Sequence, residues 1–391
     1  MSALYKMHLA KNAVMGVYNG KSVPLSYTSQ VEAYKAVREN ALLVDYSHMS
    51  IVRVVGDDAW SLVNHLASAD VSVIRDEQGL YSLLLNEDGT VWGDAYILCT
   101  DEGYYILSES LSVGDIIERL NVILEYRVDL DIQDVPEITA MDTQEWGAVL
   151  LEGPYAWELL AEIYGFDIIG LPYHEYMNTD DGLITFRCGR HGEYGYLLVG
   201  EQLQLVEVWQ QLLDKGDKYQ LKIAGLDYQQ LVRIENPCWD ASIYQNYSCN
   251  PLELQMQWAI QYDKENFIGK SAVEELSRRG AERKLVGMMP LVEGGDIKAD
   301  DKVVADAVVV GVIIKGGYSP ARKSHIALAL IDSDYAWSDI AGFAIRTPHG
   351  NIAATTHNLP FLYNFSMLVN PTEHSFIDTT KPKSALSGIK V

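Results

Sequence analysis

The chain has 391 residues, of which 48% are hydrophobic, and it carries a formal net charge of −24 at pH 7. That length is typical of two or three packed units of about 100–200 residues each. The acidic balance argues against nucleic acid or an anionic membrane surface as a partner, because both are bound mainly through lysine and arginine.

The cysteines and the N-terminal residues indicate in which cellular compartment the protein is found. Cys99, Cys188, Cys238 and Cys249 are spread along the chain and form no C-x-x-C pair, which predicts reduced thiols. The first residues contain no apolar segment of the signal-peptide type, and no window approaches the ~18 apolar residues of a membrane span. We expect a cytoplasmic protein.

The N-terminal part of the chain predicts helices and strands in alternation. Ser29 precedes a helical pattern over residues 31–39 and is a candidate cap for it. Residues 51–55 form a short apolar run of strand type, and residues 57–66 predict a second helix.

A β-hairpin is predicted next. Apolar runs at 81–85 and 91–98 flank the sequence Asn86-Glu-Asp-Gly, and Asp-Gly between two such runs is a strong turn signal. A third strand is predicted at 104–107. Further along the chain, helices are predicted at 113–124, 154–164, 205–213 and 271–276, and strands at 183–187 and 196–199.

The pattern changes after about residue 280, where short β-type runs are separated by glycine, aspartate and proline. These runs are 285–289, 303–314, 326–331, 343–345 and 352–356. They predict a separate small β-unit, a barrel or a sandwich, over residues 281–368. Residues 369–391 form a polar tail, with a composition typical of disordered chain ends.

Metal and phosphate sites find little support in the sequence. The nine histidines form no H-x-H or H-E-x-x-H motif, and the cysteines lack ligand spacing, so no metal site is predicted. Gly189-x-x-Gly-x-x-Gly195 matches neither a dinucleotide nor a Walker motif. It is more typical of a glycine-rich turn that leads into a strand.

Asp94 is the carboxylate that stands out. It lies inside the apolar and aromatic run from Trp92 to Leu98. Burying its charge costs free energy unless the charge is paired or functional. The pattern leaves two interpretations open: a functional carboxylate, or an alternating strand in which Asp94 faces water.

Two polar–aromatic pairs lie near the ends of predicted strands. They are Tyr173-His174 and Arg190-His191. Histidines of this kind are candidates for acid–base chemistry. A core or surface histidine satisfied by ordinary hydrogen bonds is the alternative.

An ordered set of motifs resembles the T-protein family, which includes the aminomethyltransferase of the glycine-cleavage system and tetrahydrofolate-dependent demethylases. No single motif decides the resemblance, which spans nearly residues 15–365 in one order. Its main elements are Asp45-Tyr-Ser-His-Met-Ser, Tyr81-Ser-x-x-x-Asn-Glu-Asp-Gly-Thr-Val-Trp-Gly-Asp, Glu152-Gly-Pro, Ala224-Gly-Leu with Arg233-Ile-Glu, Asn250-Pro-Leu-Glu and Arg283-Lys-Leu-Val-Gly.

The resemblance implies an α+β fold, namely a T-protein-like folate-binding fold of antiparallel sheets with helices, plus a C-terminal small β-barrel. Residues 1–280 would form two intertwined α+β subdomains. The implied activity is tetrahydrofolate-dependent transfer of a methyl or aminomethyl group. Asn358-Leu-Pro-Phe is similar to the demethylase branch, whose best-known member acts on dimethylsulfoniopropionate, so the resemblance favours a demethylase of a small methylated substrate.

The same resemblance assigns site residues. Asp94 falls on the family's catalytic aspartate, Tyr81 beside its pterin, and Tyr173 and His174 on its aromatic walls. The residues expected to bind the cofactor are Tyr81, Ser108, Tyr173, His174, Glu193 and Gln229. Those expected to bind the substrate are Arg190, His191, Arg233 and Trp258.

Four positions depart from the family pattern. Gly93 replaces the first acidic residue of a pair, Leu197 replaces a glutamate that grips the pterin, Ser108 replaces an asparagine, and Gln229 replaces an arginine. Two alternatives to tetrahydrofolate-dependent transfer therefore stay open. One is a folate-independent enzyme of specialised small-molecule metabolism on the same scaffold, and the other is a non-catalytic ligand-binding homologue.

Overall fold

The computed structural model describes residues 3–27, 30–141, 146–292, 296–362 and 369–383. Ser29, the candidate cap, lies outside the described residues. The chain forms two compact units. The first unit holds the described residues within 1–82, 94–228 and 364–390, and the second holds those within 83–93 and 229–363.

Helices and strands alternate along the described chain. The helices are α1 (Tyr5–Ala10), α2 (Gln30–Glu39), α3 (Ala59–Leu66), α4 (Val113–Glu125), α5 (Ala156–Tyr164), α6 (Asp167–Gly170), α7 (Gln202–Gly216), α8 (Gln229–Glu235), α9 (Ala241–Tyr244) and α10 (Lys270–Arg279). The strands are β1 (Val14–Tyr18), β2 (Lys21–Ser26), β3 (Leu42–Asp45), β4 (Ser50–Val55), β5 (Gly79–Leu85), β6 (Val91–Cys99), β7 (Gly103–Ser108), β8 (Glu137–Ala140), β9 (Trp146–Glu152), β10 (Tyr176–Asn178), β11 (Ile184–Cys188), β12 (Gly195–Glu201), β13 (Lys222–Ala224), β14 (Arg283–Pro290), β15 (Lys302–Ala305), β16 (Val308–Ser319), β17 (Ser324–Asp332), β18 (Phe343–Thr347) and β19 (Gly350–His357).

Antiparallel sheets dominate the first unit. One sheet has the strand order β10-β11-β12-β9-β3-β13, in which only the edge pair β13–β3 is parallel. Another has the order β5-β6-β7-β4-β8. Residues from both sheets line the candidate site described below. In the first of them, β12 pairs with β9 so that Leu197 lies opposite Leu150 and Gly195 opposite Glu152.

The core of the first unit also includes the chain that follows residue 368. Helices α5 and α7 pack their apolar faces together with β9 and β12 around Trp209. Val369 and Phe376 are buried in the same cluster, and the Tyr194 hydroxyl donates to the Val369 carbonyl at 3.0 Å. The described part of the polar tail, residues 369–383, is therefore packed against the core through its few apolar residues.

The second unit contains a closed six-stranded barrel with the order β14-β17-β16-β15-β18-β19. The apolar run at 303–314 is not one strand, because it turns back at Asp306 and Ala307 to form the β15–β16 hairpin. Both turn residues have positive φ, 46° and 65°, which is the geometry of a tight hairpin turn. The remaining β-runs predicted after residue 280 each match one barrel strand.

The α+β class, the antiparallel sheets and the C-terminal barrel are confirmed. All four cysteines are free thiols. Among the described residues, no helix combines the length and apolar character needed to cross a membrane.

Candidate functional site

Asp94 lies on β6, which is almost entirely buried along its length. The strand pairs with β5 on one side and with β7 on the other, so neither edge faces water. The side chain of Asp94 is 1% exposed. The interpretation in which Asp94 faces water on an alternating strand is therefore wrong, because both faces of β6 are covered.

Four side chains hold Asp94 in place. The Tyr81 hydroxyl donates to Oδ2 at 2.9 Å, and the Ser110 hydroxyl donates to Oδ1 at 2.9 Å. The Arg190 guanidinium also donates to Oδ2. Ser108 supports the backbone, since its hydroxyl donates to the Asp94 carbonyl at 2.7 Å. Asp94, Tyr81, Ser108 and Arg190, all candidates from the sequence, thus meet in one cluster.

A second carboxylate belongs to this cluster. The other terminal nitrogen of Arg190 donates to Glu109 at 3.0 Å, and Glu109 lies 3.5 Å from the ring of the buried His48. Burial raises the pKa of Asp94 above its ordinary value, and the negative charge of Glu109 raises it further. The charge of Arg190 and the hydrogen bonds from Ser110 and Tyr81 lower the pKa of Asp94, but they offset only part of the rise. Asp94 therefore keeps a proton to a higher pH than a free aspartic acid does.

A cavity lies beside this cluster. Its lining residues are Tyr46, Met49, Tyr96, Leu150, Glu152, Cys188, Gly189, Arg190, His191 and Leu197. Its interior volume is about 20 Å³, which is room for roughly one water molecule. The wall combines apolar and aromatic side chains with three charged or titratable groups, Glu152, Arg190 and His191.

Glu152 and His191 form a buried pair on the cavity wall. Nδ1 of His191 lies 3.0 and 3.1 Å from the two carboxylate oxygens of Glu152, and the Tyr228 hydroxyl donates to Oε2 at 2.9 Å. Burial alone would raise the pKa of Glu152, but the charge and hydrogen bond of His191, the hydrogen bond of Tyr228 and the charge of Arg38 lower it overall. Glu152 is therefore an ionised carboxylate.

The loop from Gly189 to Gly195 positions Arg190 and His191 on the wall of the cavity. A Cβ on Gly189 would come within 2.5 Å of the Glu193 carbonyl, and a Cβ on Gly195 within 2.5 Å of the Cys188 carbonyl. Only glycine permits this close return of the backbone. Glu193, expected to bind the cofactor, instead forms a 2.7 Å ion pair with Arg38 and does not line the cavity.

Tyr173 and His174 stack on each other with ring centroids 4.0 Å apart. Tyr173 is 46% exposed, and its hydroxyl donates to the Gly189 carbonyl at 3.0 Å. His174 lies edge-on to Tyr96, a cavity residue, at 5.7 Å. Burial lowers the pKa of His174 from 6.5 to about 4, so its ring is neutral at pH 7.

The other three candidates lie in the second unit. Gln229 is buried at the start of α8. Arg233, also buried, forms a 3.0 Å ion pair with Asp240. Trp258, in the short 3-10 helix Gln257–Ala259, is 70% exposed.

Several residues of the site were not among the sequence candidates. They are Glu109, Ser110, His48, Tyr96, Glu152 and Tyr228. The available signal was weak: Glu109 and Ser110 directly follow a predicted strand, and Glu152 opens a Glu-Gly-Pro motif before a helix. Among the described residues, no three His, Cys, Asp or Glu side chains are arranged to hold a metal ion.

Comparisons with known proteins agree on the family. Residues 4–264 match the model described as the GCVT N-terminal domain, and residues 283–362 match the glycine cleavage T-protein C-terminal barrel domain. An aminomethyltransferase of Alkaliphilus metalliredigens is 31% identical over 341 residues, covering 85% of this chain and 89% of that protein. The aminomethyltransferase of Caldanaerobacter subterraneus subsp. tengcongensis is 29% identical over 340 residues, covering 85% and 88%.

A solved structure shows the same fold. The crystal structure of the glycine cleavage system aminomethyltransferase T from Bartonella henselae superposes with a TM-score of 0.76 at 22% identity, covering 92% of this chain and 97% of that one. The two family models together match well over half of the residues. The chain therefore belongs to the glycine cleavage T-protein (aminomethyltransferase) family.

Proposed function

We propose that the chain is a one-carbon group transferase that acts on a small methylated or aminomethylated substrate, with Asp94 at its reacting centre. Its relatives are named aminomethyltransferases, which supports transfer of a one-carbon group. The observation that carries the proposal is the set of donors around one buried carboxylate, namely the hydroxyls of Tyr81 and Ser110 and the guanidinium of Arg190.

The environment of Asp94 suits two tasks. As a neutral acid it can deliver a proton to a leaving group, because burial raises its pKa above that of a free aspartic acid. As an anion it can stabilise positive charge that develops on the one-carbon donor in a site shielded from water. Tyr81 and Ser110 fix the two carboxylate oxygens, so either task is carried out in a defined orientation.

Tetrahydrofolate is the acceptor that the family implies, and the described residues do not fit it. Leu197, a buried apolar side chain on the cavity wall, stands at the position where the family resemblance implies a glutamate that binds the pterin. The carboxylate of Glu152 is already bound to His191 and Tyr228. An unpaired pterin amino group costs about 1–3 kcal/mol or more. We therefore assign no step to tetrahydrofolate.

A second candidate is a folate-independent enzyme on the same scaffold. The observation that favours it is the ion pair between Arg190 and Asp94, because a carboxylate already neutralised by a guanidinium has less charge to offer a cationic donor. In this form Asp94 and Arg190 together would anchor and protonate a substrate. Demethylation and aminomethyl transfer are the two reaction types proposed for the first candidate. In the second candidate, without tetrahydrofolate, the methyl group of X–CH₃ passes to water, which gives X–H and methanol.

One experiment separates the two candidates. The purified protein is incubated with methylated amines, sulfonium compounds and methyl ethers, with and without tetrahydrofolate, and loss of one methyl group is followed by mass spectrometry. Calorimetry with tetrahydrofolate runs in parallel. Turnover only with tetrahydrofolate, together with measurable binding, supports folate-dependent one-carbon transfer and contradicts the conclusion that the described residues do not fit tetrahydrofolate. Turnover without it supports the second candidate, and no loss of a one-carbon group from any substrate class contradicts the proposal.

A further inference from the structure

The turn that follows β7 contacts Asp94 directly through two serines, Ser108 and Ser110. The Ser108 hydroxyl donates to the Asp94 carbonyl at 2.7 Å. The Ser110 hydroxyl donates to Oδ1 of Asp94 at 2.9 Å and accepts from its backbone amide at 3.2 Å. The Leu111 amide donates to the Ser108 hydroxyl at 3.1 Å and so closes the turn. One short segment therefore holds both the backbone and one carboxylate oxygen of Asp94.

Glu109, the residue between the two serines, reaches Asp94 through Arg190. One terminal nitrogen of Arg190 donates to Glu109 at 3.0 Å, and the other donates to Oδ2 of Asp94. The side chains of Glu109 and Asp94 are 3% and 1% exposed, and that of Arg190 is 10% exposed. A guanidinium is planar and rigid, so holding one terminal nitrogen also sets the direction in which the other donates. Glu109 therefore helps to determine how Arg190 meets Asp94.

We propose that Glu109 is a positioning residue for Asp94, which acts by orienting Arg190 and by sharing the single positive charge of its guanidinium. The inference rests on the proposed function, because the orientation and ionisation of Asp94 matter to the chemistry only if Asp94 is at the reacting centre. Without the charge of Glu109, Asp94 would lose its proton at a lower pH, since the negative charge of Glu109 is one of the causes that raise the pKa of Asp94.

Other titratable groups face this cluster, and any pH dependence of Asp94 reflects them together. They are His48 at 3.5 Å from Glu109, Tyr81 at Asp94, and Glu152 and His191 beside Arg190 on the cavity wall. Three more groups interact with the charge of Arg190, and burial raises the pKa of each, so that all three keep their protons at pH 7; they are Tyr96, Tyr173 and Cys188. A variant that changes Glu109 alone keeps all of these groups.

A purely structural role of Glu109 is the rival explanation, because breaking a buried ion pair also affects folding. The two roles predict different behaviour for Glu109→Gln, which keeps the size of the side chain and removes its charge. If Glu109 only supports the fold, the variant unfolds more easily but Asp94 titrates as in the wild type. If Glu109 acts on Asp94, the titration of Asp94 moves to lower pH in the folded protein.

The test is a ¹³C NMR titration of the full-length protein labelled at the side-chain carboxyl carbon of aspartate, with the Asp94 signal assigned by its loss in Asp94→Asn. We expect a lower apparent pKa of Asp94 in Glu109→Gln than in the wild type, and no change in Glu253→Gln. Glu253 is the matched control, because it is a buried carboxylate that forms a 3.0 Å ion pair with an arginine, Arg283, in the second unit. An apparent pKa of Asp94 that is unchanged or raised in Glu109→Gln overturns the proposal.

The same shift should appear in turnover. On a substrate found in the panel above, the midpoint of the pH profile of kcat that reports Asp94 should move to lower pH in Glu109→Gln and stay in place in Glu253→Gln. A midpoint that stays in place in both variants overturns the proposal. Absence of one-carbon release from every substrate class contradicts the proposed function instead, and the NMR titration then still decides whether Glu109 acts on Asp94.

A measurement on the wild type decides the matter if Glu109→Gln does not fold. With ¹⁵N-labelled arginine, a guanidinium that is held at both ends gives separate signals for its two terminal nitrogens, because rotation of the group is hindered. A guanidinium that rotates freely gives one averaged signal. We expect separate signals for Arg190, assigned by their loss in Arg190→Lys, and one averaged signal overturns the proposal.

Discussion

Arg190 joins Asp94 to Glu109: one terminal nitrogen of its guanidinium donates to the first carboxylate and the other donates to the second at 3.0 Å. All three side chains are at most 10% exposed. Two buried carboxylates thus share one cation. The arrangement explains why the pKa of Asp94 stays raised although it has a cationic partner, because burial and the second negative charge outweigh the guanidinium.

Removing Arg190 should destabilise the protein strongly. Arg190→Met leaves Asp94 and Glu109 buried without their shared cation, and breaking a buried pair in this way costs about 3–5 kcal/mol. Chemical denaturation measures the change in the free energy of unfolding. Arg53→Met is the control, since Arg53 forms an exposed ion pair with Glu102, for which the expected cost is below about 1 kcal/mol. Equal losses in the two variants would contradict the account of the buried cluster.

His174 should make the folded protein less stable in acid. Its pKa is about 4 in the folded chain because of burial, whereas the unfolded chain has the ordinary value of 6.5. Between these values the unfolded state binds more protons, so the free energy of unfolding falls as the pH drops from 6.5 to about 4. His174→Phe should remove up to about 3 kcal/mol of that pH dependence.

The measurement is urea denaturation of the wild type and His174→Phe across that pH window, with His349→Phe as the control because His349 is exposed. A pH dependence that is the same in the wild type and His174→Phe would mean that His174 titrates normally in the folded state. NMR titration of the His174 ring would then place its pKa near 6.5 instead of about 4.

A carboxylate at position 197 should be poorly tolerated. Leu197 lies between Phe186 on β11 and Leu150 on β9 in the sheet, and it shares the cavity wall with the ionised Glu152. Leu197→Glu would bury a second charge there without a partner, at a cost of about 3 kcal/mol or more. Leu197→Met, which keeps volume and polarity, should cost less than about 1.5 kcal/mol. A stable Leu197→Glu variant that also binds tetrahydrofolate would show that the cavity opens to admit a pterin.

The segment after residue 368 should contribute to stability. The Phe376 ring packs against Tyr155 and Tyr219 with centroids 5.2 and 6.0 Å apart, and its backbone amide donates to Glu158 at 2.7 Å. Phe376→Ala should therefore cost about 3–5 kcal/mol in unfolding free energy. Ile377→Ala is the control, because Ile377 is 37% exposed and its loss should cost much less. Similar melting temperatures for the two variants would contradict this packing.

Local signals explain why much of the fold was predictable. The Asp-Gly turn between apolar runs predicted β5 and β6, and the spaced apolar runs after residue 280 predicted the barrel. The division of the run 303–314 was missed because Asp306-Ala307 lacks the glycine or asparagine that usually marks a tight turn. The polar composition predicts a disordered tail, but a few apolar residues, including Val369 and Phe376, are enough to anchor its described part.

The candidate site was predicted less completely, because its contacts join residues far apart in sequence. Asp94 and Arg190 were recognised separately, but nothing local indicates that they are paired. The sequence does not mark Glu109 and Glu152 as site residues, because each lies at the end of a strand, where a charged residue is ordinary. Their burial depends on the strands and loops that cover them, and single-sequence patterns carry no information about that packing.

The central claim is that Asp94 is at the reacting centre, and the rate of one-carbon release by Asp94→Asn tests it most directly. Asparagine keeps the size of the side chain, and its single carbonyl oxygen can still accept from either Tyr81 or Ser110, but it loses the charge and the titratable proton. Asp45→Asn is the matched control, since Asp45 is an equally buried aspartate paired with His8. We predict a fall in kcat of about 10²-fold or more for Asp94→Asn, and a kcat near that of the wild type for Asp45→Asn under conditions where both remain folded. An Asp94→Asn variant that turns over as fast as the wild type would contradict the claim.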